Sequence, residues 1–130
     1  MFIPINQVTD WRDLQNKVCQ LFNEMAYEAV TSKPVDLAGR GSKEIDVYVK
    51  DPLASHNQIY LIECKHWKSN VPQEVVHGFK FVMESAGANT GFIVSKNGFQ
   101  SGAREAARFT NIQLVTFEEL QHLYGNEWFR

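Results

Sequence analysis

The sequence has little cysteine, no long apolar run and almost no net charge. Its two cysteines, Cys19 and Cys64, form no C-x-x-C pair and no zinc-binding spacing with histidine, which argues against a disulfide-stapled fold and a zinc module. We expect both to be buried free thiols in a reducing cytoplasm. The sequence contains neither a membrane-spanning stretch nor the charged start and apolar run of a signal peptide, so a cytoplasmic location without membrane contact is expected.

A net charge of −2 rules out a protein coated in basic residues. Binding to nucleic acid remains open, because a nuclease needs only a local basic rim around an acidic metal centre. The sequence is 44% hydrophobic and 22% charged, as in ordinary globular proteins rather than disordered or fibrous ones. With no repeat, low-complexity tract or linker, residues 1–130 are expected to form one domain, alone or as a piece of a larger protein.

Hydrophobic periodicity predicts alternating helices and strands. In chain order these are a helix from about 11 to 26, a short strand over 27–31, loops at 33–34 and 39–42, strands over 44–49 and 59–65, a helix after Pro72, a strand over 91–95, a helix over about 101–109, a strand over 112–115 and a helix opened by a capping box at 116–119. The predicted core-facing residues are Trp11, Leu14, Val18, Leu21, Phe22 and Met25 on the first helix and Val75, Phe79, Val82 and Ala86 on the second. This order predicts an α/β fold, a three-layer α/β/α sandwich around a central mixed sheet.

The strands over 44–49 and 59–65 carry the most informative side chains. On the first, the odd-numbered apolar residues from Ile45 onward are expected to share one face, which leaves Asp46 on the other. On the second, Glu63 and Lys65 share a face and Cys64 lies opposite. If the two strands close symmetrically around the turn-rich loop between them, Asp46 falls opposite Glu63. Facing Cβ atoms are then about 5 Å apart, and the pattern predicts a divalent-metal site with a lysine beside it.

An E-x-K triplet near an aspartate is by itself a weak pattern, because solvated strand faces commonly alternate glutamate and lysine. The context favours a site, because the strand that carries Glu63 is otherwise apolar at Ile59, Leu61 and Ile62. Two carboxylates that face each other in such a strand repel and lose hydration unless a cation holds them.

The order of elements and five segments together resemble the restriction-endonuclease-like PD-(D/E)xK nuclease superfamily, and within it the Mrr-type restriction endonuclease family. The segments are Gly-Ser-Lys-Glu-Ile-Asp-Val, Ile-Glu-Cys-Lys-His-Trp-Lys, Val-Pro-Gln-Glu-Val-Val, Thr-Gly-Phe-Ile-Val-Ser and Gly-Ala-Arg-Glu-Ala-Ala, in a match that runs from Trp11 to Leu120. No single segment is specific, but their order and spacing together are. The resemblance implies a restriction endonuclease-like core.

The same resemblance implies roles for individual residues. The family's metal-binding aspartate falls on Asp46, its second carboxylate on Glu63 and its catalytic lysine on Lys65. Mg²⁺ is the implied cofactor, with Mn²⁺ as a substitute, and the main-chain carbonyl of Cys64 could supply a further oxygen ligand. The ion would polarise the scissile phosphate and lower the pKa of an attacking water. Lys65 would position or deprotonate that water, or stabilise the developing charge.

One position departs from the family pattern. Many relatives carry a glutamate on the first helix that reaches towards the metal, and the matching residue here is Gln15, which could hydrogen-bond a water on the metal but supplies no charge. Glu44 is a second auxiliary candidate, or else the partner of Lys65 in a restraining salt bridge. The departure leaves two interpretations open, a weakened second metal site and a degenerate nuclease.

Several residues around the predicted site are candidates for contacts with DNA, although each also fits an ordinary solubilising or packing role. They are Arg40 and Lys43 before the Asp46 strand, His66, Trp67 and Lys68 after the lysine, Gln73 and His77 on the following helix, and Lys96, Asn97, Arg104 and Arg108 further along.

The sequence therefore predicts a Mg²⁺-dependent endonuclease domain that acts on double-stranded DNA in restriction or defence. Cutting both strands requires two active sites, so a homodimer is expected, and such a domain is often joined to a separate recognition or sensor domain. Two alternatives belong to other classes. One is a catalytically silent DNA-binding or dimerisation module of the same fold, and the other is a nuclease acting on RNA or branched DNA.

Overall fold

The structure, a computed structural model, describes residues 2–125. Its elements in chain order are a 3-10 turn at Ile5–Gln7, α1 at Trp11–Glu24, β1 at Glu28–Asp36, β2 at Ser42–Lys50, β3 at Ile59–Lys65, α2 at Gln73–Ala86, β4 at Thr90–Ser95, α3 at Ser101–Ala107, β5 at Ile112–Thr116 and α4 at Phe117–Leu123. No helix within these residues combines the length and the apolarity that crossing a bilayer requires.

The five strands form one mixed sheet in the order β1-β2-β3-β4-β5. The first three strands are an antiparallel meander, and β3, β4 and β5 run parallel to one another. Helices α1 and α4 pack against one face of the sheet, and α2 and α3 pack against the other. The predicted three-layer α/β/α sandwich with a central mixed sheet is confirmed.

Burial on both faces explains the composition of the central parallel strand. In β4 the residues from Gly91 to Ser95 are all buried, as expected of a parallel strand covered by helices on both sides. Gly91 is required by close packing, since a Cβ at this position would lie 2.6 Å from Phe79 Cε2 and 2.7 Å from Met83 Sδ. The absence of a side chain at this point lets α2 approach the sheet closely.

Helix α1 begins where the sequence predicts. The Asp10 side chain caps it by accepting the Asp13 main-chain N–H at 2.8 Å. Two residues of the predicted stripe lie at its margin, since Trp11 is 36% exposed and Met25 is half-buried. The buried face of α1 instead includes Gln15, which is fully buried.

Strand β1 is longer than predicted, because it continues through Lys33 and Pro34 into a segment that the sequence suggested was a loop. Proline is tolerated here since β1 lies at the edge of the sheet formed by residues 2–125, where one side of its main chain pairs with no described strand. The predicted burial of both thiols holds for Cys64 but not for Cys19, which is only half-buried.

The core face of α2 is rotated from the predicted stripe. Val76 and Met83 are buried with Phe79 and Val82, whereas Val75 and Ala86 are half-buried at the margin. Since positions three and four apart lie on one helix face, both stripes satisfy the periodicity of the sequence. Helix α3 ends at Ala107, short of the predicted end at 109, before Arg108 and an exposed Phe109 with φ +60°.

The odd-numbered apolar residues of β2 do not share one face, contrary to the prediction. Val47 and Val49 pack in the core beneath α1, whereas Ile45 packs beneath α2. The neighbouring strand changes sides in the same way, with Ala29 beneath α1 and Val35 beneath α2. The β1–β2 hairpin therefore passes from one face of the sheet to the other along its length.

This change of side takes place where Ser32 meets Asp46. The β1–β2 ladder includes Thr31–Val47 and Lys33–Ile45 but skips the Ser32–Asp46 pair between them. Ser32 has φ +53°, in the left-handed region that interrupts the alternation of a strand. Strand alternation alone therefore misplaced Ile45, because the interruption falls beside Asp46.

Candidate active site

Asp46 and Glu63 meet at a point where two strands separate. The antiparallel β2–β3 ladder runs from Lys50–Ile59 to Val47–Ile62, and the next facing pair in this register is Asp46 and Glu63. This is the predicted register around the loop. Beyond Val47 the strands no longer pair through their main chains, and the Asp46 side chain bridges them instead.

The bridge is a hydrogen bond from the Cys64 main-chain N–H to Asp46 Oδ2, at 2.8 Å. Burial raises the pKa of Asp46 above its ordinary value, against the opposing effect of hydrogen bonds from the Cys64 N–H and the Trp11 side chain. Asp46 is therefore a carboxylate held firmly in place within a site that penalises its charge. A carboxylate has about four acceptor positions, so the bond from the Cys64 N–H leaves it capacity for further partners.

Glu63 and Lys65 project from β3 on the α2 side, while Cys64 between them is buried on the α1 side. Lys65 Nζ lies 3.5 Å from Glu63 Oε1 and 4.9 Å from the centre of the Trp67 ring. Burial raises the pKa of Glu63, and the charge of Asp46 raises it further, although Lys65 opposes both effects. The arrangement of these β3 side chains on the two faces is as predicted.

A cleft between β3 and α2 gives access to these groups. A cavity of about 200 Å³ is lined by Glu63, Lys65 and Lys43 on one side and by α2 on the other. A smaller extension shares Lys43 and Glu63 and reaches Asp46. The positive charge of Lys43 lowers the pKa of both carboxyl groups, so this lysine lies within electrostatic range of the pair. Glu74, in the first turn of α2, lies across the same cleft.

The donor set suits a hard divalent cation. Two carboxylates with raised pKa values converge, and the mutual repulsion of Asp46 and Glu63 would be relieved by a cation between them. The Cys64 carbonyl points towards the β2 side of its strand, because the N–H and C=O of one strand residue share an edge. Within residues 2–125 no three side chains of aspartate, glutamate, histidine or cysteine form a metal-binding group. An ion held here would thus keep several waters, which is the habit of Mg²⁺.

Gln15 reaches the site from α1 by donating a hydrogen bond to the main chain of Asp46. Its Nε2 donates to the Asp46 carbonyl at 2.7 Å and to Ser32 Oγ at 3.1 Å. Glu44, the other auxiliary candidate, lines the extension of the cleft and is exposed. The ion pair of Lys65 is formed with Glu63, so the alternative of a Glu44–Lys65 salt bridge is not realised.

Of the residues suggested for DNA contact, Lys43 lines the cleft with both carboxylates, and Trp67 lies against Lys65. Trp67 is 37% exposed beneath Lys65. Lys68 is exposed just beyond it, at the same rim. His66 is turned to the segment before α1, with Nε2 3.2 Å from the Val8 carbonyl.

The remaining candidates are not part of the lining of the cleft. Arg40 lies over the ring of Phe81 on α2, and Gln73 packs against Gly102 of α3. Lys96 donates its main-chain N–H to the Lys65 carbonyl at 2.9 Å. The other four candidates have contacts outside the cleft or are exposed. His77 is exposed, Asn97 bonds Asn70, Arg104 lies over Phe99, and Arg108 pairs with Glu105.

Three residues of the site were not identified from the sequence as functional. Trp11 was assigned to the core, Ser32 lies beyond the end of the strand predicted over 27–31, and Glu74 was unremarked on α2. The sequence carries a signal only for Glu74, which follows Pro72 in the first helical turn, next to the predicted site. The contacts of Trp11 and Ser32 depend on how α1 is placed against the hairpin.

Comparison with known proteins identifies the family. A family model, Mrr_cat, described as restriction endonuclease, matches residues 6–124. No curated protein sequence matches the chain.

Solved structures share the fold at low sequence identity. A protein of unknown function, AF1548, superposes with a TM-score of 0.68 at 20% identity over 89% of this chain and 67% of its own. VC1899 from Vibrio cholerae gives 0.62 at 17% identity over 88% and 31%. A repair endonuclease from Pyrococcus abyssi gives 0.57 at 16% over 85% and 48%. The chain thus spans about half of the Pyrococcus protein and about a third of the Vibrio protein.

Proposed function

This chain belongs to the Mrr-type restriction endonuclease family, and we propose that it is a metal-dependent endonuclease domain that hydrolyses phosphodiester bonds of double-stranded DNA. The observation that carries the proposal is the meeting of Asp46 and Glu63 where β2 and β3 separate, with Lys65 3.5 Å from Glu63. The two carboxylates lie in a cleft open to solvent, and the nearby charges of Lys43 and Lys65 are suited to a phosphate.

In this proposal Asp46, Glu63 and the Cys64 carbonyl hold Mg²⁺, for which Mn²⁺ substitutes. Bound there, the ion would polarise the scissile phosphate and lower the pKa of the attacking water. The raised pKa values of both carboxyl groups support this assignment, because a cation offsets the cost of burying two charges together.

Lys65 is the side chain of the protein that acts on the reacting groups. Its ammonium is held between Glu63 and the face of Trp67, so its position is fixed before substrate arrives. From there it orients the attacking water and stabilises the negative charge that develops on the phosphate oxygens. The oxygen of the water forms a new P–O bond and releases a proton to solvent, the bond from phosphorus to the leaving oxygen breaks, and that oxygen takes up a proton from solvent. Lys43, at the same cleft, would pair with a neighbouring phosphate.

The wider setting is part of the proposal. A cut through both DNA strands calls for two such sites, so the domain would work as a homodimer in restriction or defence against foreign DNA. Since the chain spans about half or less of two structures that share its fold, a further recognition domain would fit beside it.

The test is cleavage of a supercoiled plasmid and of a labelled RNA, each with Mg²⁺, Mn²⁺ or a chelator. We expect the parent to nick and linearise the plasmid with either metal and to be silent with chelator. Asp46→Ala and Lys65→Ala should lose at least about a hundredfold in rate, whereas Lys80→Ala, an exposed lysine on α2, should not.

Two outcomes would overturn the proposal in different ways. If the parent binds DNA at nanomolar concentration but cuts neither substrate with any metal, the chain is a silent binding module. If RNA alone is cut, the DNA assignment is wrong while the nuclease assignment stands.

A further inference from the structure

Gln15 occupies an unusual position for a polar side chain. It lies in the second turn of α1, on the face packed against the sheet, and is completely buried. Its neighbours on that face are apolar residues such as Leu14 and Val18. A buried amide has to find partners for its donors and its acceptor, so its contacts indicate why a polar residue stands there.

Its donors serve one place in the sheet. Nε2 bonds the Asp46 carbonyl at 2.7 Å and Ser32 Oγ at 3.1 Å, and these two residues are the pair that the β1–β2 ladder skips. Ser32 at φ +53° is in a conformation that non-glycine residues adopt at a cost. The interruption of the hairpin is therefore held from outside the strands, by a side chain of α1.

Asp46, whose carbonyl accepts this bond, also carries a carboxylate of the site. The Asp46 carbonyl is held by Gln15, and its side chain is held by the Cys64 N–H at 2.8 Å. The β1–β2 hairpin also changes sides at this residue. The Gln15 bond thus fixes the main chain from which the Asp46 carboxylate projects to β3.

Only the donor end of the Gln15 amide is hydrogen-bonded. Gln15 Oε1 is buried and has no hydrogen-bond donor among residues 2–125. An apolar side chain of similar shape would remove that orphaned acceptor but would leave the Asp46 carbonyl without this donor, and an ionised glutamate could not donate to the carbonyl either. Because its N–H is bonded and its oxygen is not, the contribution of Gln15 is the hydrogen bond that its N–H donates.

We infer that Gln15 is a positioning residue that sets the Asp46 carboxylate through the Asp46 main chain. It acts by donating a hydrogen bond to the Asp46 carbonyl rather than by supplying a metal ligand. The consequences for cleavage rest on the proposed function. The effect on the Asp46–Cys64 hydrogen bond does not.

The first experiment reads that hydrogen bond in the metal-free protein. An amide proton bonded to a carboxylate resonates downfield and exchanges slowly, so the Cys64 N–H is a direct probe in a ¹H–¹⁵N spectrum. In Gln15→Met we expect this signal to move upfield and its protection from exchange to fall about tenfold. Gln20→Met, an exposed glutamine on the same helix, should leave it unchanged. A folded Gln15→Met with an unmoved Cys64 signal would overturn the inference.

The second experiment uses Gln15→Glu, which keeps the side-chain shape and serves for both readouts if Gln15→Met does not fold. Mn²⁺ affinity is measured by calorimetry beside cleavage at saturating metal. Positioning through the main chain predicts affinity weakened by about 10–100-fold despite the added charge. Tighter Mn²⁺ binding by Gln15→Glu would show that the position acts as a ligand and would refute the inference. If the parent itself neither binds Mn²⁺ nor cuts DNA, the proposed function fails, and the Cys64 signal alone decides the role of Gln15.

Discussion

Replacing Glu63 by glutamine should stabilise the metal-free protein and abolish its stabilisation by divalent cations. The Glu63 side chain is 19% exposed, and both burial and the charge of Asp46 raise its pKa. Each unit of such a shift corresponds to about 1.4 kcal/mol of lost stability when the group is ionised. Loss of the ion pair with Lys65 offsets part of the gain. A net stabilisation of roughly 1 kcal/mol at pH 7.5 is the expected result.

The sign of the pH dependence follows from linkage. A carboxyl whose pKa is raised on folding binds more protons in the folded state, so the contribution of Glu63 to stability is greatest at acid pH. That contribution is full below the ordinary pKa of 4.5 and is lost as the pH rises through the folded-state value. The stability difference between Glu63→Gln and the parent should therefore be small near pH 4 and grow towards neutral pH.

Addition of metal should reverse the order of the two proteins. At a Mn²⁺ concentration a hundredfold above its dissociation constant, the parent gains about 2.7 kcal/mol, and the variant should gain little. For a chain of this length 1 kcal/mol corresponds to about 4 °C in Tm. The parent should thus unfold about 4 °C below Glu63→Gln in chelator and well above it with Mn²⁺.

Differential scanning calorimetry in chelator and in Mn²⁺, repeated at pH 4.5 and 7.5, makes the measurement. Glu84→Gln, an exposed glutamate on α2, is the matched control and should shift stability by no more than about 0.5 kcal/mol. Destabilisation of the metal-free protein by Glu63→Gln at neutral pH, or equal stabilisation of parent and variant by Mn²⁺, would refute the reasoning.

Three further predictions concern single residues. Lys65→Ala should lower the cleavage rate by about 10²–10⁴-fold while Mn²⁺ still raises Tm, and loss of both effects would mean that Lys65 supports metal binding instead. Gly91→Ala should destabilise by about 1–3 kcal/mol in urea unfolding, since its Cβ would lie 2.6 Å from Phe79 Cε2, and an unchanged midpoint would contradict the close packing of α2. A thiol reagent should label half-buried Cys19 first and Cys64 only on unfolding, because burial raises the Cys64 pKa well above its ordinary value. Labelling is followed by mass spectrometry, and modification of Cys64 in the native protein at the rate of Cys19 would contradict its burial.

The core of the site could be predicted from the sequence because it depends on local geometry. The hairpin register follows from the loop and the alternation of β3, so the meeting of Asp46 with Glu63 needed only strand periodicity. The capping box at Thr116 and Glu119 is equally local, and it forms as the sequence predicts.

What could not be predicted depends on contacts between distant segments. The interruption at Ser32 and Asp46 is held by Gln15, seventeen and thirty-one positions away from them. No pattern within the hairpin indicates this interruption, so the predicted face of Ile45 was wrong. The predicted α2 stripe was right at Phe79 and Val82 but wrong at Val75 and Ala86. A 3.6-residue period fits Val75 as well as Val76, and the packing against the sheet decides between them.

The structure of the protein soaked with Mn²⁺, mapped by anomalous scattering, tests the central assignment most directly. We expect one strong peak at about 2.0–2.2 Å from oxygens of both Asp46 and Glu63, near the Cys64 carbonyl. A Mn²⁺ peak elsewhere in the molecule, or none between these carboxylates at saturating metal, would contradict the assignment of Asp46 and Glu63 as the metal-binding pair.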